Sequence, residues 1–291
     1  MIKNTFCHIP GIGTRCEQML WDLGIHSWDD VRRDEIDRLP IGGGRGRRLF
    51  NHYLDESIYH LERNDPGFFS DLLPSDQHWR LFDDFRDGIA YLDIETTGMG
   101  SLEDYITTIA LYDGKKISWY VQGDNLDQFE EAIYTYRVIV TYNGKCFDLP
   151  FIRNCLRIRM DHVHIDLRYI LARLGYRGGL KGCERQLGIS REELDGVDGF
   201  FAVLLWDEYR RNRNIKALET LLAYNILDVV NLETLMVLSY NMKISNTPFA
   251  QTHCLPLPSQ PEPPFTPDRA TIEAIRPRPC PTNVFSLPLG L

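Results

Sequence analysis

The sequence lacks paired cysteines, an apolar leader and an excess of basic residues. Its seven cysteines are odd in number and scattered, with no Cys-x-x-Cys pair, which argues against a disulfide framework and against a zinc site. The first residues form no apolar signal core, and no apolar run approaches the length of a membrane span. These absences predict a soluble, cytoplasmic protein with reduced thiols and no membrane partner.

The acidic balance of the chain is also informative. The formal net charge is −9, which is not typical of a nucleic-acid-binding protein. However, a negative total does not exclude a local basic patch, and a cluster of metal-binding carboxylates would add to it. At 291 residues the chain is long enough for one large domain or two modest ones.

The stretch Tyr91–Gly98 places two carboxylates two residues apart in an apolar, β-prone run. Residues i and i+2 of a strand share a face, so Asp93 and Glu95 lie side by side while their apolar neighbours face the other way. Such a pair is stabilised by a raised pKa or by a hard divalent cation, and the cation is the favoured interpretation. The alternative is a strand edge at which both acids are solvated.

Two more acids stand at positions that suit a metal site. Asp148 follows an Asn-Gly break and is predicted to begin a helix, where the helix dipole favours an anion; the alternative is an ordinary helix-start acid. Asp228 lies in a long helix predicted over residues 217–240, one turn after Tyr224 and beside an apolar stripe. The alternative for Asp228 is a solvated acid.

The order of predicted elements indicates an α/β fold. Three strands in a meander are followed by a short helix, a buried strand and one further strand, which is the order of a ribonuclease H-like domain. Composition alone leaves other α/β folds open. The predicted strands are 88–95, 106–112, 117–121, 137–142 and 162–167, with the short helix at 126–134.

The N-terminal segment contains a turn, Ile9–Gly13, that precedes a helix predicted over residues 14–23. This turn resembles the hairpin of helix-hairpin-helix modules, in which glycines such as Gly11 and Gly13 let backbone N–H groups approach a phosphate. A second glycine-rich turn at 39–48 adds three arginines. The alternative is a small helical cap whose glycines only make tight turns.

These patterns predict an α/β protein with a ribonuclease H-like mixed β-sheet flanked by helices and a small α-helical N-terminal region. Residues 1–64 form the helical, helix-hairpin-helix-like region, and residues 65–87 a connector lying on the next domain. Residues 88–245 form the ribonuclease H-like domain. Residues 246–291 hold eleven of the sixteen prolines and are predicted to be extended or disordered, with a brief helical turn near 270–275.

Three motifs carry a family resemblance. Asp93-x-Glu95, the N-G-x-x-F-D run that ends at Asp148, and Tyr224-x-x-x-Asp228 resemble the motifs of the DnaQ-like DEDD 3′–5′ exonucleases in their tyrosine subclass. The histidine subclass would place histidine at position 223, which is alanine here. The chain resembles the YprB-type branch of that superfamily more closely, over about residues 5–240. The matching segments are 5–13, 92–98, 141–151, 178–189 and 224–232.

The resemblance implies a metal-dependent exonuclease that removes nucleoside monophosphates from the 3′ end of DNA or RNA by a two-metal mechanism. Two Mg²⁺ or Mn²⁺ ions and a water oriented by Tyr224 are implied. The alternative is a nucleic-acid-binding protein that keeps the fold without catalysis. The implied metal ligands are Asp93, Glu95, Asp148 and Asp228; these four and Tyr224 are the implied catalytic residues. The residues assigned to nucleic-acid contacts are Gly11, Gly13, Thr96, Asn143 and Lys181.

Overall fold

A five-stranded mixed sheet lies at the centre of the computed structural model, which describes residues 1–31, 43–101, 103–191, 194 and 196–276. The strands are β1 (Ile89–Thr96), β2 (Ile106–Tyr112), β3 (Ile117–Val121), β4 (Val138–Thr141) and β5 (Val163–Asp166). Their order is β3-β2-β1-β4-β5. The meander β1-β2-β3 is antiparallel, whereas β4 and β5 extend the sheet parallel to β1. The predicted α/β sheet and its strand positions are confirmed.

Helices flank the sheet and build the N-terminal region. They are α1 (Thr14–Asp22), α2 (Trp28–Val31), α3 (Gly43–Glu62), α4 (Pro66–Leu72), α5 (Leu81–Asp84), α6 (Phe129–Ile133), α7 (Asp148–Leu156), α8 (Leu167–Arg173), α9 (Gly179–Gln186), α10 (Gly199–Asn212), α11 (Ile215–Ile244) and α12 (Arg269–Ile275). Short 3₁₀ helices lie at Ile2–Asn4, Ser75–Arg80, Arg86–Gly88 and Leu126–Gln128.

The two faces of β1 belong to two apolar cores. Leu92 and Ile94 pack in the core that includes residues of α6 and α7. Tyr91 packs on the opposite face, in the core that includes α11. Because side chains alternate along a strand, Asp93 and Glu95 lie on the α11 face.

Helix α11 is the longest element of the described part of the chain, with 30 residues and a length of about 45 Å. Its N-terminus is capped by Asn214, whose side chain accepts a hydrogen bond from the backbone N–H of Lys216 at 3.1 Å. By length and composition alone α11 could cross a membrane, although no apolar run of that length was predicted from the sequence. However, 83% of its most apolar 18-residue stretch is buried inside the protein. Burial in the core accounts for its apolar character.

The N-terminal helices are joined to the rest of the protein by a buried ion pair. Glu17 of α1 accepts hydrogen bonds from the Thr5 hydroxyl at 2.6 Å and the Phe6 N–H at 2.7 Å. Its second oxygen pairs with Arg80 at 2.7 Å, and both charged side chains are buried. Breaking such a pair leaves a buried charge without a partner, so this contact stabilises the packing of α1 on the segment that carries Arg80.

The segment 65–87, predicted as a connector lying on the next domain, is largely helical. It forms α4, α5 and short 3₁₀ helices, and Phe69, Trp79 and Phe82 are buried in the core shared with the sheet. These aromatic side chains supply enough apolar area to fix the segment against the domain.

In the C-terminal segment, predicted to be extended or disordered with a brief helical turn, residues 247–268 form no helix or strand but make specific contacts with the domain. The side-chain amide of Asn241 on α11 donates a hydrogen bond to the carbonyl of Leu255 and accepts one from its N–H, each at 2.8 Å. The ring of Phe265 meets Trp119 edge to face, with centroids 5.0 Å apart. Prolines prevent regular backbone hydrogen bonding in this segment, and the side chain of Asn241 supplies hydrogen bonds to the backbone of Leu255 instead. Residues 277–291 lie outside the described residues, as do residues 39–42 of the second glycine-rich turn.

Candidate active site

The site lies where β1 and β4 separate. Their parallel pairing ends at Tyr91 and Val140, whereas β1 continues to Thr96 beside β2 alone. Beyond that point the backbone N–H of Ile94 donates to a carboxylate oxygen of Asp148 at 3.3 Å instead. In α/β sheets, ligands bind at the carboxyl ends of the strands where neighbouring strands diverge.

Three carboxylates converge at this edge. One oxygen atom from each of Asp93, Glu95 and Asp228 lies within 4.8 Å of the others. Glu95 and Asp228 are buried, with 9% and 4% of their surface exposed, and Asp93 is half-buried. The first two acids come from one face of β1, and α11 brings the third across that face. The carboxyl group of Asp228 on α11 therefore points toward the two acids of β1.

Burial and mutual repulsion make this cluster costly when it is ionised. Burial raises the pKa of Asp93 well above its ordinary value, and the charges of Asp228, Asp148 and Glu95 add to the effect. Burial and the charge of Asp228 do the same to the pKa of Glu95. Burial also raises the pKa of Asp228, against the opposing charge of Arg191. The cluster is therefore stabilised either by protons or by a bound cation.

The donor set fits a hard divalent cation. Mg²⁺ and Ca²⁺ prefer oxygen ligands at about 2.0–2.6 Å, so ligand atoms on opposite sides of one ion are about 4–5 Å apart. One oxygen atom from each of the three carboxylates lies within 4.8 Å of the others, which is compatible with ligands of a single ion. No cysteine or histidine belongs to this group of described residues, which favours magnesium or manganese over zinc.

Asp148 is the first residue of α7, as predicted, and lies beside this group but is not part of it. Burial raises its pKa to about 7, although hydrogen bonds from backbone N–H groups, including that of Ile94, lower it. Its charge also contributes to the raised pKa of Asp93. All four predicted acids are therefore electrostatically linked at one end of β1.

Tyr224 lies one helical turn before Asp228 and is buried. Lys181 places its ammonium 4.5 Å from the centroid of the Tyr224 ring. Burial, followed by the charges of Asp228 and the β1 acids, raises the pKa of the phenol far above its ordinary value. The phenol is therefore protonated at neutral pH in the metal-free site and is able to donate a hydrogen bond.

Arg191 and Glu184 belong to the site although sequence reasoning did not select them. Arg191 approaches Asp228 at 2.5 Å as an ion pair and donates two hydrogen bonds to Glu184, at 2.5 and 2.8 Å. Asn231 of α11 donates to the same Glu184 at 2.9 Å. The only sequence signal was one acid within the mostly apolar buried face of α9, with an arginine seven residues later.

The remaining predicted residues have well-defined local contacts. Lys181 donates a hydrogen bond to the carbonyl of Val197. The Thr96 hydroxyl donates to the carbonyl of Gly98 at 2.6 Å. Asn143 has a left-handed backbone (φ 68°), and its N–H donates to Asp166 at 2.8 Å.

Gly11 and Gly13 lie in the turn that leads into α1, within the N-terminal region. Gly11 has a φ of +90°, a conformation that favours glycine, and Gly13 is the N-cap of α1. A Cβ atom added to either would meet open space. The turn therefore needs a glycine for its backbone at Gly11, and both positions leave their backbone accessible.

One more side chain touches the cluster. Asn225 donates a hydrogen bond from its amide to Asp93 at 2.7 Å, and its amide oxygen accepts one from Thr108 at 3.0 Å. Asn225 is fully buried, between Tyr224 and Asp228 in sequence.

Comparison with known proteins agrees with this architecture. Residues 90–240, more than half of the chain, match the RNase H superfamily. No curated protein matches the sequence. One solved structure with similarity is the family B DNA polymerase from the hyperthermophilic archaeon Pyrobaculum calidifontis, at 14% identity and a TM-score of 0.36, over 54% of this chain and 29% of the polymerase. That likeness is too weak to bear on function. The family match and the fold together show that the chain belongs to the RNase H superfamily.

Proposed function

We propose that the protein is a divalent-metal-dependent nuclease that acts as a 3′–5′ exonuclease on DNA or RNA. The observation that carries this proposal is the group of three carboxylates at the open edge of β1, of which two are buried. One oxygen of each lies within 4.8 Å of the others. A binding protein has no evident need for such a costly cluster, whereas phosphodiester hydrolysis does. The resemblance of the three motifs to the tyrosine subclass of DEDD exonucleases supports the direction of cleavage.

In this proposal Asp93, Glu95 and Asp228 hold one Mg²⁺ or Mn²⁺ ion, and Asp148 helps to hold a second. When bound, such ions supply Lewis acidity toward an attacking water and toward the phosphate oxygens. Tyr224 remains protonated and orients the attacking water through its hydroxyl. The raised pKa of the phenol supports that role over proton abstraction.

Substrate contacts form a second part of the proposal. Lys181 carries an ammonium that reaches the site and has donors left for a phosphate after its bond to Val197. Thr96 and Asn143 flank the acids in sequence and are proposed to contact the terminal nucleotide. Gly11 and Gly13 are proposed to contact the phosphate backbone without reading its sequence.

The subfamily and the domain division are proposed on the same basis. The motif segments support a YprB-type protein, with residues 88–245 as the catalytic domain and residues 1–64 as a nucleic-acid-binding region. A cytoplasmic location is proposed because the cysteines within the described residues are all free. A non-catalytic nucleic-acid-binding protein is the alternative.

A cleavage assay separates the two functions. Purified protein is incubated with 5′-labelled and 3′-labelled single- and double-stranded DNA and RNA, with Mg²⁺, Mn²⁺ or EDTA. We expect metal-dependent release of mononucleotides from the 3′ end, and none from substrates with a blocked 3′ terminus.

The matched variants are Asp93→Asn, which removes one charge from the site, and Asp124→Asn, which removes one from an exposed loop. We expect loss of cleavage only in the first. Binding of nucleic acid with no cleavage by the wild-type protein in either metal would support the alternative function.

A further inference from the structure

Asn225 connects a metal-site acid to the sheet. Its amide nitrogen donates to Oδ2 of Asp93 at 2.7 Å, and its amide oxygen accepts from the hydroxyl of Thr108 at 3.0 Å. Asn225 and Thr108 are both fully buried. The three side chains therefore form a short chain of hydrogen bonds from β2 through α11 to β1.

The chemistry of the three groups fixes the direction of this chain. An ionised carboxylate can only accept hydrogen bonds, so the amide of Asn225 must turn its NH₂ group toward Asp93. The amide oxygen then faces Thr108, whose hydroxyl must donate. A flipped amide would set two acceptors against each other next to Asp93, and a buried acceptor without a donor is costly.

The backbone holds both ends of the chain in place. Thr108 lies opposite Glu95 in the antiparallel pairing of β1 with β2, so its side chain shares the face that carries the acids. Asn225 lies three residues before Asp228 and therefore on the same side of α11. Docking of α11 thus delivers one acid and, through Asn225, orients another.

We propose that Asn225 is a positioning residue that holds the carboxylate of Asp93 in the orientation needed to bind a divalent cation, and that Thr108 holds Asn225. The hydrogen bond occupies one oxygen of Asp93 and restricts rotation of the group, so the other oxygen is presented to the ion. Partners of this kind behind a ligand typically change metal affinity by about 10- to 100-fold. The inference rests on the proposed metal-dependent function.

The test compares three variants by calorimetric titration with Mn²⁺ alone. Asn225→Leu removes both hydrogen bonds at similar volume. Thr108→Val removes only the hydroxyl and keeps the shape of the side chain. Thr107→Val is the matched control, because Thr107 is the adjacent residue of β2, is equally buried, and has a hydroxyl with no hydrogen-bond partner in the described structure.

We expect Mn²⁺ affinity to fall about 10- to 100-fold in Asn225→Leu and about 3- to 10-fold in Thr108→Val, with Thr107→Val unchanged. Cleavage by the first two variants should return toward the wild-type rate at saturating Mn²⁺, because the defect lies in metal binding. If the role of Asn225 were purely structural, Asn225→Leu would lower the stability of the protein in EDTA, and added Mn²⁺ would not restore cleavage. Thr108→Val is the informative variant if Asn225→Leu does not fold.

The outcomes are distinguishable from failure of the proposed function. Wild-type affinity in both Asn225→Leu and Thr108→Val, with binding abolished in Asp93→Ala, would overturn the role of Asn225 and leave the metal site intact. An equal loss in Thr107→Val would also overturn it. Absence of Mn²⁺ binding by the wild-type protein would overturn the metal site and this inference together.

Discussion

Replacement of Asp148 by asparagine should stabilise the metal-free protein, and more so as the pH rises. Asp148 is buried at the start of α7 and accepts a hydrogen bond from Ile94. Burial raises its pKa from 3.8 to about 7. Asparagine keeps the shape and the acceptor oxygen but carries no charge, so Asp148→Asn removes the cost of ionising a buried carboxylate.

The size of the effect follows from the pKa. Between pH 4 and pH 7 the native protein holds the Asp148 proton more tightly than the unfolded chain, so the stability of the wild-type protein falls as pH rises through this window. A rise in the pKa of Asp148 from 3.8 to about 7 corresponds to about 4 kcal/mol of lost stability at pH 8. The stability gained by Asp148→Asn should therefore be about 3 kcal/mol larger at pH 8 than at pH 5.

Urea denaturation in EDTA at pH 5 and pH 8 measures this difference directly, with Asp124→Asn as the exposed control. Addition of Mn²⁺ should reverse the order at pH 8, because the wild-type site gains more from the ion. The reasoning would be refuted if Asp148→Asn gained the same stability at both pH values or gained none in EDTA.

Three further predictions follow from individual contacts. Tyr224→Phe should lower kcat on the order of 100-fold by removing one hydroxyl donor, with Mn²⁺ affinity by calorimetry unchanged; a normal rate would exclude the hydroxyl from the reaction. Arg80→Met should destabilise the protein by roughly 3–5 kcal/mol because it leaves Glu17 buried without its cation; urea denaturation measures this, and a loss below about 1 kcal/mol would contradict it. Joint replacement Glu184→Gln and Arg191→Gln should raise Mn²⁺ affinity several-fold, because it removes a cation 2.5 Å from a metal-site acid; calorimetry showing equal or weaker binding would argue against that electrostatic effect.

The sheet and the late helix were predictable because their signals are local. Alternating or continuous apolar runs marked the strands, and the 3.6-residue period marked α11. The spacing of Asp93 and Glu95 also predicted a shared face, since it depends only on the period of a strand. Their proximity to Asp228 was inferred from family resemblance, because α11 lies far from β1 in the sequence. For example, 132 residues separate Asp93 from its hydrogen-bond partner Asn225 on α11.

The contacts that surround the acids were not predictable in the same way. Arg191, which follows α9, pairs with Asp228 of α11, and Thr108 of β2 donates a hydrogen bond to Asn225 of α11. Neither pair has a sequence period that could reveal it, because each depends on how separate elements dock. The single charged residue Glu184 within a buried helix face was the one available sign that a buried cation lies nearby.

The C-terminal segment shows a different limit. Its prolines exclude regular secondary structure over most of its length, and composition alone then favours disorder. Order arises instead from specific partners such as Asn241 for Leu255 and Trp119 for Phe265. Only α12 had a local signal, and it lies at the predicted helical turn.

Anomalous diffraction from crystals soaked in Mn²⁺ tests the metal site most directly. We predict an anomalous peak within coordination distance of carboxylate oxygens of Asp93, Glu95 and Asp228. A peak elsewhere, or none at this edge of the sheet while the three side chains remain ordered, would contradict the assignment of a metal-dependent nuclease.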